Sequence, residues 1–387
     1  LELLFVSPPF GTSFATNSIN DHGILVGYLN GSNEKPAIWT AGGGVQQVPM
    51  PPGGLYGYGV GMSADGSIAM TIIKAPIGDR AFVRFSDGTF HEILPISPNG
   101  QSFARAMHMD GVVVGRQAVG SPGSNNSPYC GFRWSLEEGK TDVIVGPGPN
   151  CEVLSINANG VMVGWTGVTK TSPGASGFIV DGDEVTLLPP IPGGFFSTAK
   201  KINDQGWVVG DGRIFGGPYG VGLTRGFLWC DGEMIVFEPT PGYELSSAIG
   251  VTNDGVVLIS SWGALEAGMP SGAASLWCNG ERIDFVPPWV EPPVLAISAR
   301  AINNAGELGV GVEHEPSQLD FVGFADPIPF PKPSPDFTAD GVVDGADLQV
   351  FLGMWDAPSP SPADLNQDGA VDAADLGLIL ASWGPRG

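Results

Sequence analysis

Charged side chains are scarce in this 387-residue chain, at 15%, and basic ones scarcest, with 17 Lys and Arg against 40 Asp and Glu and a net charge of -23. So acidic a surface repels phosphate backbones, and no Lys/Arg cluster offsets it, which argues against nucleic-acid binding. The four histidines, His22, His91, His108 and His314, are far apart in the chain, and none lies four residues from another. They offer no metal or triad constellation, and Glu313-His314-Glu315 reads as a solvated loop. A Gly-x-Ser-x-Gly elbow between strand and helix is missing too. No apolar run approaches the ~18 residues a membrane span requires. Convincing helical periodicity is absent from the first 330 residues. Paired carboxylates for sugar hydrolysis stay open, because their separation is spatial.

Glycine and proline, by contrast, are abundant at 59 and 35, alongside 42% hydrophobic residues. That combination indicates many turns between packed strands. The turns recur. Aligning on the glycine after a polar turn gives Gly23, Gly66, Gly111, Gly160, Gly206, Gly255 and Gly306, spaced 43 to 51 residues apart. Segments such as Ile19-Asn20-Asp21-His22 and Ile302-Asn303-Asn304-Ala305 precede the glycine and predict a tight turn. A β-branched run such as Ile24-Leu25-Val26 or Val112-Val113-Val114 follows it and predicts a strand. Two further strands complete each unit. One carries aromatics, as in Gly131-Phe132-Arg133-Trp134 and Gly226-Phe227-Leu228-Trp229. The last ends at prolines, as at Pro189-Pro190. With the segment before the turn, each unit reads as four antiparallel strands.

Seven four-stranded units of this length predict an all-β fold, a seven-bladed β-propeller over residues 1–326. The last unit stops after Phe321-Val322-Gly323-Phe324, while Glu2-Leu3-Leu4-Phe5-Val6 has the pattern of a unit's final strand. The N-terminal strand is therefore expected to complete the seventh blade and remove an exposed edge. An open solenoid of the same units is the alternative. The repeated Asn20, Asn157, Asn203, Asn253 and Asn303 read as turn formers, and Trp39, Trp134, Trp229 and Trp277 as core. Trp165, Trp207, Trp262 and Trp289 break the pattern and are candidates for exposed carbohydrate contacts. Cys130 and Cys151 flank a Gly/Pro-bounded excursion, so a disulfide between them is one option. Cys230 and Cys278 read as buried thiols.

The Ile-Asn-x-x-Gly-x-Val-Val-Gly and Ala-Phe-x-Trp elements resemble the HAF-type repeats of secreted bacterial proteins. Met62-Ser63-Ala64-Asp65-Gly66 and Met107-His108-Met109-Asp110-Gly111 lack the asparagine and follow the pattern only loosely. The resemblance implies an extracellular or cell-surface protein and no particular chemistry. Leu1 in place of methionine is consistent with a removed signal peptide.

Residues 327–335, rich in alternating proline, read as a stiff linker. Beyond them, residues 336–387 hold nine Asp, no Glu and one Arg. Asp364, Asn366, Asp368, Asp372 and Asp375 stand at positions 1, 3, 5, 9 and 12 of a calcium loop, with Gly369 at 6 and the Ala370 carbonyl at 7. Asp336, Thr338, Asp340, Asp344 and Asp347, with Gly341 and the Val342 carbonyl, repeat the pattern 28 residues earlier. Two Ca²⁺ sites are expected, the first weakened by the neutral Thr338. An amphipathic helix is expected after each loop, with Leu348, Phe351, Leu352 and Trp355 on one apolar face and Leu376, Ile379, Leu380 and Trp383 on the other. Prolines before each loop exclude an entering helix. This duplicated loop-helix resembles a type I dockerin domain, which implies docking onto a cohesin-like surface partner. The partner-selecting positions hold Gly345-Ala346 and Ala373-Ala374, so its identity stays open. The two parts together predict a non-catalytic binding or scaffold protein, possessing a propeller that takes a glycan or protein ligand. A polysaccharide-degrading hydrolase or lyase subunit is the alternative.

Overall fold

The computed structural model describes residues 13–323 apart from 32, 98, 120–127, 147–149, 170–173, 216–221, 231, 265–270, 286–293 and 315–320. Beyond those it describes 335, 337, 338, 342–355, 363, 365 and 370–385. Each repeat forms one antiparallel sheet whose strands pair in chain order. Six sheets, over residues 13–47, 54–93, 102–143, 150–187, 194–237 and 243–285, have four strands, and the last, 294–323, has three. The expectation of an all-β propeller holds, but with six four-stranded blades and not seven. The last unit ends, among the described residues of the repeat region, at its third strand, Phe321–Gly323, and brings no fourth of its own. The expectation that Glu2 to Val6 completes it lies outside the described residues.

The seven aligned glycines sit in left-handed turns, with φ from 71° to 92°, a region that L side chains rarely adopt. Three of the asparagines before them, Asn157, Asn203 and Asn303, serve two turns at once. Asn157 accepts hydrogen bonds from Asn159 N and Val161 N in its own turn, while its amide donates to Asn203 O of the next sheet at 2.9 Å. Asn203 likewise donates to Thr252 O, and Asn303 to Asn20 O. That last bond, with Asn304 donating to both carboxylate oxygens of Asp21, joins the last sheet to the first. Strand Ser13–Ile19 also packs on all three strands of the last sheet. The ring is therefore closed, which excludes the open solenoid.

The core lies between neighbouring sheets. Val163 and Leu188 of one sheet pack against Ala199, Ile202, Val208 and Phe227 of the next, which in turn buries Val209 and Leu228 against Ala248, Val257 and Ile259. Each large side chain buried in this way contributes about 1.5–3 kcal/mol. Trp39 and Trp134 are core, as expected, and Trp229 and Trp277 pack half-buried at its margin. All four cysteines are free, and Cys130, Cys151 and Cys278 are buried. The Cys130–Cys151 disulfide is therefore corrected. Cys151 donates to Val143 O at 3.0 Å, and burial pushes the Cys130 thiol up to about 11.

In the C-terminal part, helices α1 (Gly345–Leu352) and α2 (Ala373–Ala381) share a small core of Val343, Phe351, Ala363, Val371 and Ile379. The expected apolar stripes are narrower than the sequence spacing indicates. Phe351 and Ile379 are buried, but Leu352, Trp355, Leu380 and Trp383 are exposed. No helix among the described residues is long and apolar enough to cross a membrane.

Candidate functional site: the propeller channel

The first strand of each sheet faces the channel, and all seven share a β-bulge at the same place, three of them with a second register shift nearer the strand's start. The register slips at Asn17, Val60, Arg105, Leu154, Lys200, Ile249 and Arg300, each six residues before its turn glycine. A bulge leaves one residue unpaired and re-aims its side chain. Six of these seven residues line channel cavities. One cavity, of ≈190 Å³, lies at the turn end and draws wall residues from all seven sheets. The other, of ≈490 Å³, is bounded by Asn17, Tyr28, Glu34, Tyr58, Val60, Arg105, Leu154, Lys200 and Lys201. Its volume is that of a small-molecule site. Three cations face one carboxylate there, in a chain where acids outnumber bases by 40 to 17.

Two of those cations are held by carboxylates behind the wall. Arg105 Nε donates to Glu152 Oε1, Trp165 Nε1 donates to Glu152 Oε2 at 2.9 Å, and Arg116 Nε lies 3.6 Å from Oε1. Glu152 is 4% exposed. Burial alone would raise its pKa, but Arg105, Arg116 and the indole N–H outweigh that and hold it below the usual glutamate range. Burial likewise draws the Arg105 guanidinium down, and Glu152 and Tyr58 more than offset it. The Arg116 guanidinium is sandwiched between the Phe103 and Tyr129 rings, 4.4 and 4.6 Å from their centroids. Such stacking fixes a cation in place. Lys200 donates to Asp211 Oδ2 and to Ser247 Oγ.

Lys201 differs. Its side chain, half-buried by exposed area, stands in the channel wall between both cavities and has no hydrogen-bond or ion-pair partner among the described residues. Burial holds its ammonium below the ordinary lysine range. The residue at its place in the other units, five before the turn glycine, is Ser18, Gly61, Ala106, Ser155, Gly250 or Ala301.

The residues singled out by sequence fare unevenly. Trp165 is buried as the Glu152 donor and is not an exposed stacking platform. Trp207 and Trp262 are half-buried, and Trp289 lies outside the described residues. Asn157, Asn203 and Asn303 have the structural role expected, with inter-sheet donation added; Asn20 holds its own turn, and Asn253 bonds Asp204 of the neighbouring sheet while Thr252 closes the turn. His91 stacks on Trp134, His22 is exposed, and His108 contacts Asp110 in the turn-end wall.

Of the calcium-loop residues, Thr338, Val342, Asp344, Asp347, Ala370, Asp372 and Asp375 are described; Asp336, Asp340, Asp364, Asn366 and Asp368 lie outside. Among the described residues no three His, Cys, Asp or Glu side chains converge on a metal position. The two loop ends superpose in chemistry. Asp344 and Asp372 each cap a helix, with φ, ψ of -144°, -160° and -139°, -159°. Asp347 and Asp375, at position 12, are fully buried and close the capping boxes. Thr338, the position-3 residue, donates from N and Oγ1 to Asp347 Oδ1, and Asp344 N donates to Oδ2. Burial would raise the Asp347 pKa, and these bonds more than reverse that. Two ligand positions of one loop thus meet, and with a further bond from the Phe337 backbone the Asp347 carboxylate uses all of its roughly four acceptor sites.

No protein-family model and no curated protein matches the chain. Solved structures resemble it in fold. A virginiamycin B lyase from Staphylococcus aureus aligns with TM-score 0.52 at 11% identity over 84% of this chain and 98% of its own. A streptogramin B lyase aligns with TM-score 0.52 at 11% identity over 84% of this chain and 97% of its own. Pyrococcus horikoshii acylaminoacyl peptidase aligns with TM-score 0.54 at 11% identity over 81% of this chain and 51% of its own. At such identities the likeness establishes the propeller and nothing of the chemistry.

Proposed function

We propose that this is a secreted or cell-surface, non-catalytic binding protein. Its propeller recognises a small ligand or glycan end in the channel, and its dockerin-like tail, folded by calcium, attaches it to a cohesin-like or other surface partner. The observation that carries the recognition reading is the ring of bulges. Turn residues recur from sheet to sheet, whereas the five bulge residues around the ligand-sized cavity are Asn17, Val60, Arg105, Leu154 and Lys200, all different. Repetition serves the ring, and variation at one level serves discrimination. A polysaccharide-degrading activity needs two carboxylates flanking a bond. Glu34 is the single acid among the described residues lining the larger cavity, so no observation favours that reading.

A glycan array probed with the full chain tests the channel. Glycans should bind, and Leu154→Trp, which fills the channel from its wall, should abolish their signal. Signal that survives this plug puts the ligand elsewhere and overturns the reading.

For the tail, Asp336, Thr338, Asp340, Asp344, Asp347 and the Val342 carbonyl would hold one Ca²⁺. Asp364, Asn366, Asp368, Asp372, Asp375 and the Ala370 carbonyl would hold the second. Calcium would neutralise the clustered carboxylates and tie each loop to its helix, so binding energy is folding energy. Calorimetric titration of the full chain should show two sites, and Asp347→Ala and Asp375→Ala should each leave one. A chain that takes up no calcium at millimolar concentration overturns this part. The exposed Leu352, Trp355, Leu380 and Trp383 supply apolar surface for a partner.

A further inference from the structure

Lys201 is out of place by the logic of its own repeat. Ser, Gly or Ala stands there in every other unit, and the structure gives one reason: a Cβ at Gly61 would lie 2.9 Å from Met107 N, and one at Gly250 would lie 2.6 Å from Ile302 Cγ2. The inner wall is tight at this level. A lysine here must run its stem along the channel and leave its ammonium inside, where an unpaired charge is unfavourable. Nothing in the closure of the ring needs it, since six units close without it. Residues kept against stability in this way belong to function more often than to folding.

The neighbours define what such an ammonium would meet. Lys200 is engaged by Asp211 and Ser247, and Arg105, 28% exposed, has committed Nε to Glu152 and bonds Tyr58 as well, leaving only the remaining guanidinium N–H groups. Lys201 is therefore the one cation of that wall without a partner among the described residues, and Glu34 is its one carboxylate. Tyr28 and Tyr58 line the same cavity with ring centroids 6.3 Å apart, inclined at 58°, and aromatic rings are the usual partners of the C–H side of a sugar. Asn17 donates from its amide to Gly59 O, so its carbonyl remains as an acceptor, and Glu34 adds a second acceptor for hydroxyls.

We infer that the larger channel cavity binds a monoanionic, carboxylate-bearing sugar, a hexuronate residue or chain end. Lys201 is its counter-charge, Arg105 a second donor, and the two tyrosines are the stacking wall. A single free ammonium matches a single carboxylate. This inference rests on the channel-recognition reading and narrows it to one ligand class.

Calorimetry at low salt with the full chain tests it, using trigalacturonate and the neutral galactotriose as probes. The acidic trisaccharide should bind at least tenfold more tightly than the neutral one and weaken as salt is added. Lys201→Ser restores the residue type of Ser18 and Ser155, so it should fold with a melting temperature equal to or above that of the wild type while losing at least tenfold in affinity for the acid. A merely structural lysine would give the opposite pairing, a lower melting temperature with affinity retained. Lys201→Met, which keeps the stem, should behave as Lys201→Ser does and serves if the serine variant fails to fold. Equal binding of both sugars, unchanged by Lys201→Ser, overturns the inference while leaving channel recognition standing. Inorganic sulfate displacing the acid at equal charge concentration overturns it also, since the site then reads charge alone. If neither sugar binds, the inference fails, and channel recognition is judged by the array and the Leu154→Trp plug.

Discussion

Glu152→Ala should destabilise the propeller by about 3–5 kcal/mol, read as a fall in denaturant midpoint at constant slope. Three donors converge on this carboxylate, and the substitution leaves them all: Arg105 and Arg116 lose their counter-charge, and the Trp165 N–H is buried without an acceptor. Glu152→Gln separates the contributions, because an amide oxygen still accepts from Trp165 while the charge is gone. It should fall between wild type and alanine. Its pH dependence has a definite sign. The folded-state pKa of Glu152 is depressed, so its ionisation contributes stability above the unfolded value, about 4.3, and that contribution disappears as pH falls through the folded value. The gap between wild type and Glu152→Gln should therefore be full at neutral pH and close in acid. A gap unchanged between pH 7 and pH 3 would show that the carboxylate is not the counter-ion of the two arginines. Both variants should also loosen Arg105 at the cavity wall and weaken any channel ligand.

The same network shows where the sequence stops being readable. Seven glycines fixed the register of the whole ring, and each does sit at positive φ in a turn, because glycine, Asn and Asp next to a β-branched run have few other uses. Trp165 shows the opposite case. It breaks the repeat pattern and so reads as exposed, yet it is buried because Glu152 on the paired strand needs its N–H. Glu152 in turn is explained by Arg105, 47 residues earlier and in another sheet. No periodicity carries such a pairing. The bulges hide the channel in a second way. Each shifts strand alternation by one residue midway along the first strand, so inward and outward positions exchange and a period of two no longer identifies the wall. A signal for Lys201 did exist. Once the units are aligned on their turn glycines, the column five residues upstream is small in six units and lysine in one. Reading the repeat for what is shared passes over that column; reading it for the lone exception finds it. The blade count differs in the last unit alone, whose expected fourth strand, Glu2 to Val6, lies outside the described residues.

Gly210→Ala should cost about 3 kcal/mol or more, although glycine-to-alanine in a strand is ordinarily favourable. A Cβ built there falls 1.9 Å from Thr198 O and 3.0 Å from Phe227 Cζ. The first contact is with backbone, so no rotamer change relieves it. The close approach belongs to the bulge: Gly210 pairs with Ala199, and Lys200, the next residue, is the one turned into the channel. Gly27, Gly115 and Gly164 stand in the same relation to Ala15 O, Phe103 O and Glu152 O, at 1.8 to 1.9 Å. The final glycine of the Val-Val-Gly element is thus explained by the carbonyl opposite it and not by its own dihedrals. Met70, Ile259 and Val310 occupy the position in the remaining sheets, so the restriction is set sheet by sheet. Ile259→Val at the equivalent place should cost only about 0.5–1.5 kcal/mol, the ordinary effect of one buried methylene. Denaturant melts of the two variants side by side decide the point. Because relief of the Gly210 clash must move residues 198 to 200, Gly210→Ala should also displace Lys200 and Lys201 and weaken channel binding more than its stability loss alone requires. A Gly210→Ala protein within about 1 kcal/mol of wild type would show that the inner strand yields freely, and that the bulge is not the fixed feature which holds the channel cations in place.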